Sequence, residues 1–139
     1  MARKKTAKFI ISEPLYKADS NRPTLLRIEL CAEYTKVDFG YQTSSFYKKG
    51  GWVRLDKNTF IRRKATGEKL TLVRAENIPI APAHHYFNTK KDWLYFSLWF
   101  PPIPLEDGKI DLIEAEPGTP NDFNYKDIRI ETKKFIELL

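Results

Sequence analysis

Apolar and polar positions alternate from Thr24 to Tyr34. Leu26, Ile28, Leu30, Ala32 and Tyr34 share one face, and Arg27, Glu29, Cys31 and Glu33 the other. A period of two marks a strand with one face in a core. The phase then inverts. Thr35, Val37, Phe39 and Tyr41 become the apolar set, opposite Lys36, Asp38 and Gln42. A one-residue slip turns every side chain to the other face. The pattern therefore predicts a bulge or tight turn near Thr35–Lys36.

Gly50 and Gly51 open a second group of short apolar runs: Trp52–Asp56, Thr59–Lys64 and Lys69–Arg74. Between the last two, Ala65-Thr66-Gly67-Glu68 reads as a hairpin turn, with Gly67 supplying a positive φ. Asn77–Pro82 reads as a loop, because Pro79 and Pro82 remove ladder donors. Asp92–Phe100 is the most hydrophobic strand, and Pro101, Pro102 and Pro104 end it. Lys109–Ala115 and Tyr125–Glu131 follow, separated by the Pro117–Pro120 loop.

Seven to nine short strands without a long helix predict an all-β domain. Such strands bury their apolar faces by stacking two sheets or closing a barrel. The expected fold is a two-sheet antiparallel, immunoglobulin-like sandwich in preference to an OB-type barrel. It lacks the Cys…Trp…Cys arrangement of antibody domains. The expected organisation is a basic, flexible segment over 1–8 and the sandwich over 9–131. Residues 132–139 would form a short helix capped by Thr132, or begin a further segment.

Composition bounds this picture. The chain has 139 residues, 42% hydrophobic and 14% aromatic, enough for one domain with its own core. Its single cysteine, Cys31, rules out an intrachain disulfide framework and a cysteine-rich zinc site. No apolar run approaches the roughly 20 residues of a membrane span. Only Phe9, Ile10 and Ile11 follow the basic Met1–Lys8 stretch, which predicts no secretory signal. The compartment would be cytoplasmic if Met1 is the native start, and extracytoplasmic if a signal was removed.

The order Gly51-Trp52-Val53-Arg54-Leu55, Thr59-Phe60-Ile61, Gly67-Glu68-Lys69-Leu70 is followed by an Asn77-Ile78-Pro79 loop. An aromatic strand then closes on Phe100-Pro101-Pro102-Ile103-Pro104, and Ile110–Ala115 comes last. This order resembles an immunoglobulin-like β-sandwich module of uncharacterised bacterial proteins, often exported and sometimes beside a thioredoxin-like domain. The resemblance covers roughly residues 24–131. It implies a sandwich with an accessory or binding role, and it carries no catalytic residues.

Signatures of catalysis are lacking. There is no P-loop, GxGxxG, GxSxG, HExxH or CxxC. His84 and His85 are adjacent, so on a strand they point apart and do not share a metal easily. They read as part of a polar loop after Pro82. Cys31 has no base near it in sequence, so burial as a small apolar residue is the simpler role. Glu106, Asp107, Asp111, Glu114 and Glu116 lack calcium-loop spacing, and Glu106-Asp107-Gly108 reads as a hairpin turn with solvated charges. No catalytic residue, metal ligand or cofactor is assigned, and the chain reads as a non-enzyme. An enzyme would need His84 or His85 within reach of Cys31 or a carboxylate.

Charge points to one surface and aromatics to another. The net charge is +6, but it is unevenly distributed. Residues 1–91 hold 19 basic and 8 acidic residues, a balance of +11, and residues 92–139 hold 5 and 10, a balance of −5. Arg54, Lys57, Arg62, Arg63, Lys64, Lys69 and Arg74 gather in one hairpin region. They would suit phosphate, with Arg54, Arg62, Arg63, Lys64 and Arg74 as the contact residues. The neighbouring aromatics Trp52 and Phe60 read as core, and edge strands carry such cations for their own protection. Nucleic acid is therefore the lesser reading. On the aromatic strand, Leu94, Phe96, Leu98 and Phe100 form one face, and Trp93, Tyr95, Ser97 and Trp99 the other. With both faces apolar, the strand is expected to be central. Its second face is either covered by the chain itself or used to bind carbohydrate, peptide or protein. The expected function is a non-catalytic accessory or protein-interaction module. Trp93, Tyr95 and Trp99 would be its binding face, and its partner a protein or another domain of the same polypeptide.

Overall fold

The computed structural model describes residues 8–18, 23–42, 52–81, 83, 85–86, 93–116, 118 and 122–130. Nine strands form two antiparallel sheets, as the alternation predicts. The first has five strands: β1 (Phe9–Ser12), β2 (Thr24–Leu30), β3 (Thr35–Gln42), β9 (Trp93–Phe100) and β7 (Arg74–Glu76), in that order. The second runs β11 (Tyr125–Arg129), β10 (Lys109–Ile113), β5 (Phe60–Arg63) and β6 (Lys69–Thr71). A two-stranded ribbon, β4 (Trp52–Val53) with β8 (His85–Tyr86), lies beside them. No α-helix occurs among the described residues. The helix expected over 132–139 and the basic start at 1–7 lie outside them.

The two inner faces make one core. Ile28, Leu30, Val37, Phe39, Leu94, Phe96, Leu98 and Phe100 come from the first sheet, and Ile61, Ile110, Leu112, Tyr125 and Ile128 from the second. Phe39 stacks on Phe96 with ring centroids 5.0 Å apart. Across the layers it meets Tyr125 at 5.5 Å. Offset and tilted ring pairs of this kind add about 0.5–1.5 kcal/mol beyond the area they bury.

The expected long strand at 24–34 ends at Leu30. Cys31–Tyr34 reverses the chain, with the Cys31 N–H donating to the Tyr34 carbonyl at 3.1 Å. That reversal accounts for the inverted phase. Ala32 is accordingly exposed and Tyr34 half-buried, rather than in the core. A separate register shift falls between Leu25 and Arg27, against β3. It turns Leu25 inward and leaves Leu26 half-exposed. The Tyr16 hydroxyl accepts the Leu25 N–H at 3.2 Å.

Two crossings tie the sheets together. The run expected as a single strand over 69–74 is split. The Leu72 N–H donates to the Thr59 carbonyl, next to β5 of the second sheet, and the Val73 N–H to the Trp99 carbonyl, in the first, both at 2.8 Å. At the opposite side the chain leaves β1 through Glu13, which holds a left-handed φ of 49°. Such a conformation costs a non-glycine residue about 1 kcal/mol. The Glu13 N–H donates to the Leu26 carbonyl at 2.8 Å. Lys17 then bridges to Lys126 beside β11.

The Tyr125 ring is fully buried, and its hydroxyl donates to the Pro23 carbonyl at 2.6 Å. Tyr125→Phe keeps the ring but leaves that carbonyl without this donor. The expected cost is about 1–3 kcal/mol. It should appear as a lower midpoint of urea unfolding with an unchanged slope. An unchanged midpoint would show that the bond contributes nothing.

Candidate functional site

The second sheet carries Arg62 and Arg63 on β5 and Lys69 on β6, and Lys64 follows β5. Arg63 reaches Asp107 with two nitrogens, Nε at 2.7 Å and Nη2 at 3.1 Å, and Glu68 with Nη1 at 3.0 Å. The Asp107 side chain is nearly fully buried. Glu106-Asp107-Gly108 is therefore not a hairpin turn with solvated charges. Leu105–Asp107 forms a 3₁₀ turn between sheets, and Gly108 completes it at φ 73°. Two-point Arg–carboxylate contacts of this kind exceed ordinary surface ion pairs in strength and specificity.

Lys64 contacts Asp127 at 2.8 Å and Asp111 at 3.4 Å. Arg62 bonds Glu116 and lies 3.9 Å from Asp111. Asp111 sits where β10 and β11 lose register between Ile110 and Leu112. Asp127, in the bulge, takes a left-handed φ of 53°, and its N–H donates to Asp111 at 3.0 Å. Aspartate tolerates this conformation better than most residues. The bond to Lys64 holds the Asp127 carboxyl below the ordinary range and raises the Lys64 ammonium in turn. Arg62 lowers Glu116 in the same way.

Arg62, Arg63 and Lys64 thus have acidic partners, most of them from the acidic end of the chain. Phe60, read as core from the sequence, is half-buried instead. The Lys69 ammonium and Arg62 guanidinium lie over its ring at 4.9 and 5.5 Å. Ile61 takes the core position. Arg54 is exposed just before Leu55, which bridges to Ile80 outside the two sheets. Glu114 caps two loop amides, Asp56 N–H at 2.9 Å and Phe123 N–H at 2.8 Å. Burial nevertheless raises its carboxyl above the ordinary range.

The outer face of the first sheet is different. β9 is interior to its sheet, between β3 and β7. Its inward row is buried as expected, but Trp93 and Tyr95 are 52% and 60% exposed. Their rings lie 6.1 Å apart and within 13° of parallel. Tyr95 pairs with Gly40 in register, and a Cβ at Gly40 would come within 3.2 Å of its ring. The absence of a side chain there lets the ring lie close over β3. An isolated glycine inside a strand is a sequence signal for such close approach.

Trp99 belongs to a separate arrangement. The Arg74 guanidinium lies 4.3 Å and the Lys36 ammonium 5.2 Å from its ring centroid. The three aromatics therefore do not form one open face. Between them runs a polar row: Arg27 Nε donates to Asp38 at 2.9 Å, and Ser97 Oγ to the same carboxylate at 2.6 Å. This row and Tyr95 line an open depression of about 450 Å³. Asn77, at a left-handed φ of 66°, borders it and donates to the Tyr95 carbonyl at 2.5 Å.

Cys31 is buried in its turn, with Sγ 3.7 Å from the Tyr34 carbonyl. The Tyr34 hydroxyl donates to Glu29, and that bond holds the phenol above its ordinary range. His84 lies outside the described residues, and His85 is described only through its pairing with Val53. The described residues contain no group of three or more His, Cys, Asp or Glu placed to hold a metal ion. They contain no helix long and apolar enough to cross a membrane. No family model, curated protein or solved structure matches the chain.

The pairing of Asp127 predicts a pH dependence. A depressed folded-state value adds stability above the unfolded pKa, and that stability is lost as pH falls through the folded value. Asp127→Asn keeps a residue that tolerates the left-handed bulge and removes the charge. The variant should be less stable than wild type at neutral pH. The difference should shrink as pH falls below about 4, the ordinary aspartate range. Thermal unfolding of both proteins across pH checks this, and a gap that stays constant to acid pH would contradict it.

Proposed function

We propose that the protein is a non-catalytic binding module of immunoglobulin-like architecture, with its binding face on the outside of the five-stranded sheet around Trp93 and Tyr95. The observation that carries this reading is the exposure of two parallel aromatic rings on an interior strand. Large rings in water are unfavourable by the area they expose. Aromatic side chains on a rigid sheet contribute contact area at low entropic cost, which is why they concentrate binding energy. The adjoining depression offers polar groups beside the rings, the mixture that small-ligand and partner sites use.

The basic region supports nucleic-acid binding less well. Arg62, Arg63, Lys64 and Arg74 each contact a carboxylate of the same chain. A phosphate would have to compete with those partners. Two-point holding of Arg63 by buried Asp107 favours a structural role for that cation.

An NMR titration of the ¹⁵N-labelled protein tests the placement. Three ligand classes are added separately: soluble oligosaccharides, short peptides and a single-stranded oligonucleotide. At least one class should shift the Trp93 indole N–H and the amides of Gly40 and Tyr95, and Trp93→Ala should abolish those shifts. Perturbations confined to residues 54–74, or none with any class, would overturn the proposal.

A further inference from the structure

We propose that the Trp93–Tyr95 platform takes a neutral polysaccharide chain; this rests on the binding role proposed for that face and names its ligand class. The first observation is the geometry of the rings. They are parallel to within 13° and project from alternate positions of one strand, 6.1 Å apart. The pair is stacked and more than half exposed, so it presents aromatic surface to solvent. Such a surface suits a ligand that is itself flat and repeating, with C–H groups on its faces. A pyranose ring presents its axial C–H groups to the negative face of an aromatic ring and keeps its hydroxyls at the rim.

The second observation is what stands at the rim. Asp38, Ser97 and Asn77 carry oxygen and amide groups beside Tyr95, lining or bordering the depression of about 450 Å³. Hydroxyls both donate and accept, so they match a mixed row of this kind without adding net charge.

The third observation is charge, and it separates saccharide from the alternatives. The cations Arg27, Lys36 and Arg74 on this face already contact carboxylates. Arg27 and Lys36 are both on Asp38, and Arg74 is on Glu76. Glu29 accepts the Tyr34 hydroxyl. Lys36 and Arg74 also cover Trp99. A phosphate backbone would have to compete with Asp38 and Glu76 for the cations of this face. A neutral chain would leave those contacts in place and use the rings alone. Gly40 completes the arrangement, since a side chain there would press against the Tyr95 ring and Leu26.

Affinity electrophoresis of the whole chain tests the ligand class. Cathodic native gels would contain hydroxyethyl cellulose, arabinoxylan or galactomannan, with alginate as the anionic comparison. Wild type should be retarded by at least one of the three neutral polymers, to the same extent when salt is raised. Retardation that depends on phosphate-like charge would fall with salt instead. Trp93→Ala should weaken the retardation at least tenfold. Trp93→Phe and Tyr95→Phe, which keep aromatic rings, should retain most of it. A thermal melt matching wild type shows that Trp93→Ala is folded, as expected for a ring more than half exposed. No retardation by any neutral polymer, retardation by alginate alone, or equal retardation of Trp93→Ala would overturn the proposal. If that happens while peptide or oligonucleotide still shifts the Trp93 indole, only the saccharide class falls. If nothing shifts it, the binding face falls as well.

Discussion

Phe39 holds the two layers at their working distance. It stacks on Phe96 of the neighbouring strand and meets Tyr125 of the opposite sheet. Tyr125 in turn meets Tyr16 edge-on at 5.3 Å. These rings fill the centre of a core whose other members are mostly Ile and Leu. Interiors pack to crystal-like density, so the depth of such rings fixes how closely the sheets approach. Once the inward rows of β3 and β9 are covered, their outward rows must face solvent or a partner. The exposure of Trp93 and Tyr95 follows directly from the burial of Leu94 and Phe96.

The crossings at Leu72–Val73 and Glu13–Lys17 link the two sheets through the backbone. Each lets a single stretch of chain satisfy backbone groups in both sheets. Edge strands are otherwise exposed templates for pairing with other chains. Glu13 and Asp127 accept left-handed backbone at the bends, each supported by a bond from its own N–H. Strain of this sort persists where surrounding contacts over-determine the conformation.

The two sheets hold their charges differently. On the second sheet, Arg62, Arg63 and Lys64 are matched against Asp107, Asp111, Glu116 and Asp127. These contacts pin the bulge and the 3₁₀ turn. On the first sheet, charges pair within a polar row and leave two rings uncovered. The basic pI of about 9.4 therefore describes the chain rather than a basic surface at this hairpin.

Several features were legible without coordinates. The all-β class, the strands at 35–42, 93–100, 109–113 and 125–129, and the two-faced character of β9 follow from a period-two pattern that depends only on local geometry. The exposed pair Trp93 and Tyr95 belonged to the outward row named from alternation. What alternation does not contain is which residue lies opposite which. Trp99 shares that row, yet Arg74 and Lys36 cover it because β7 and β3 flank β9 in the folded sheet. The chemistry of Phe60 suits a core position, but the register of β5 turns Ile61 inward instead. Nothing local marks the contact of Asp107 with Arg63, 44 positions earlier, so the sequence alone makes it look solvated. Local pattern by itself determined the strands and the faces they present. Only the tertiary structure decided which charges meet, which rings are covered and where the chain changes sheet, because those outcomes depend on pairings between segments far apart in sequence.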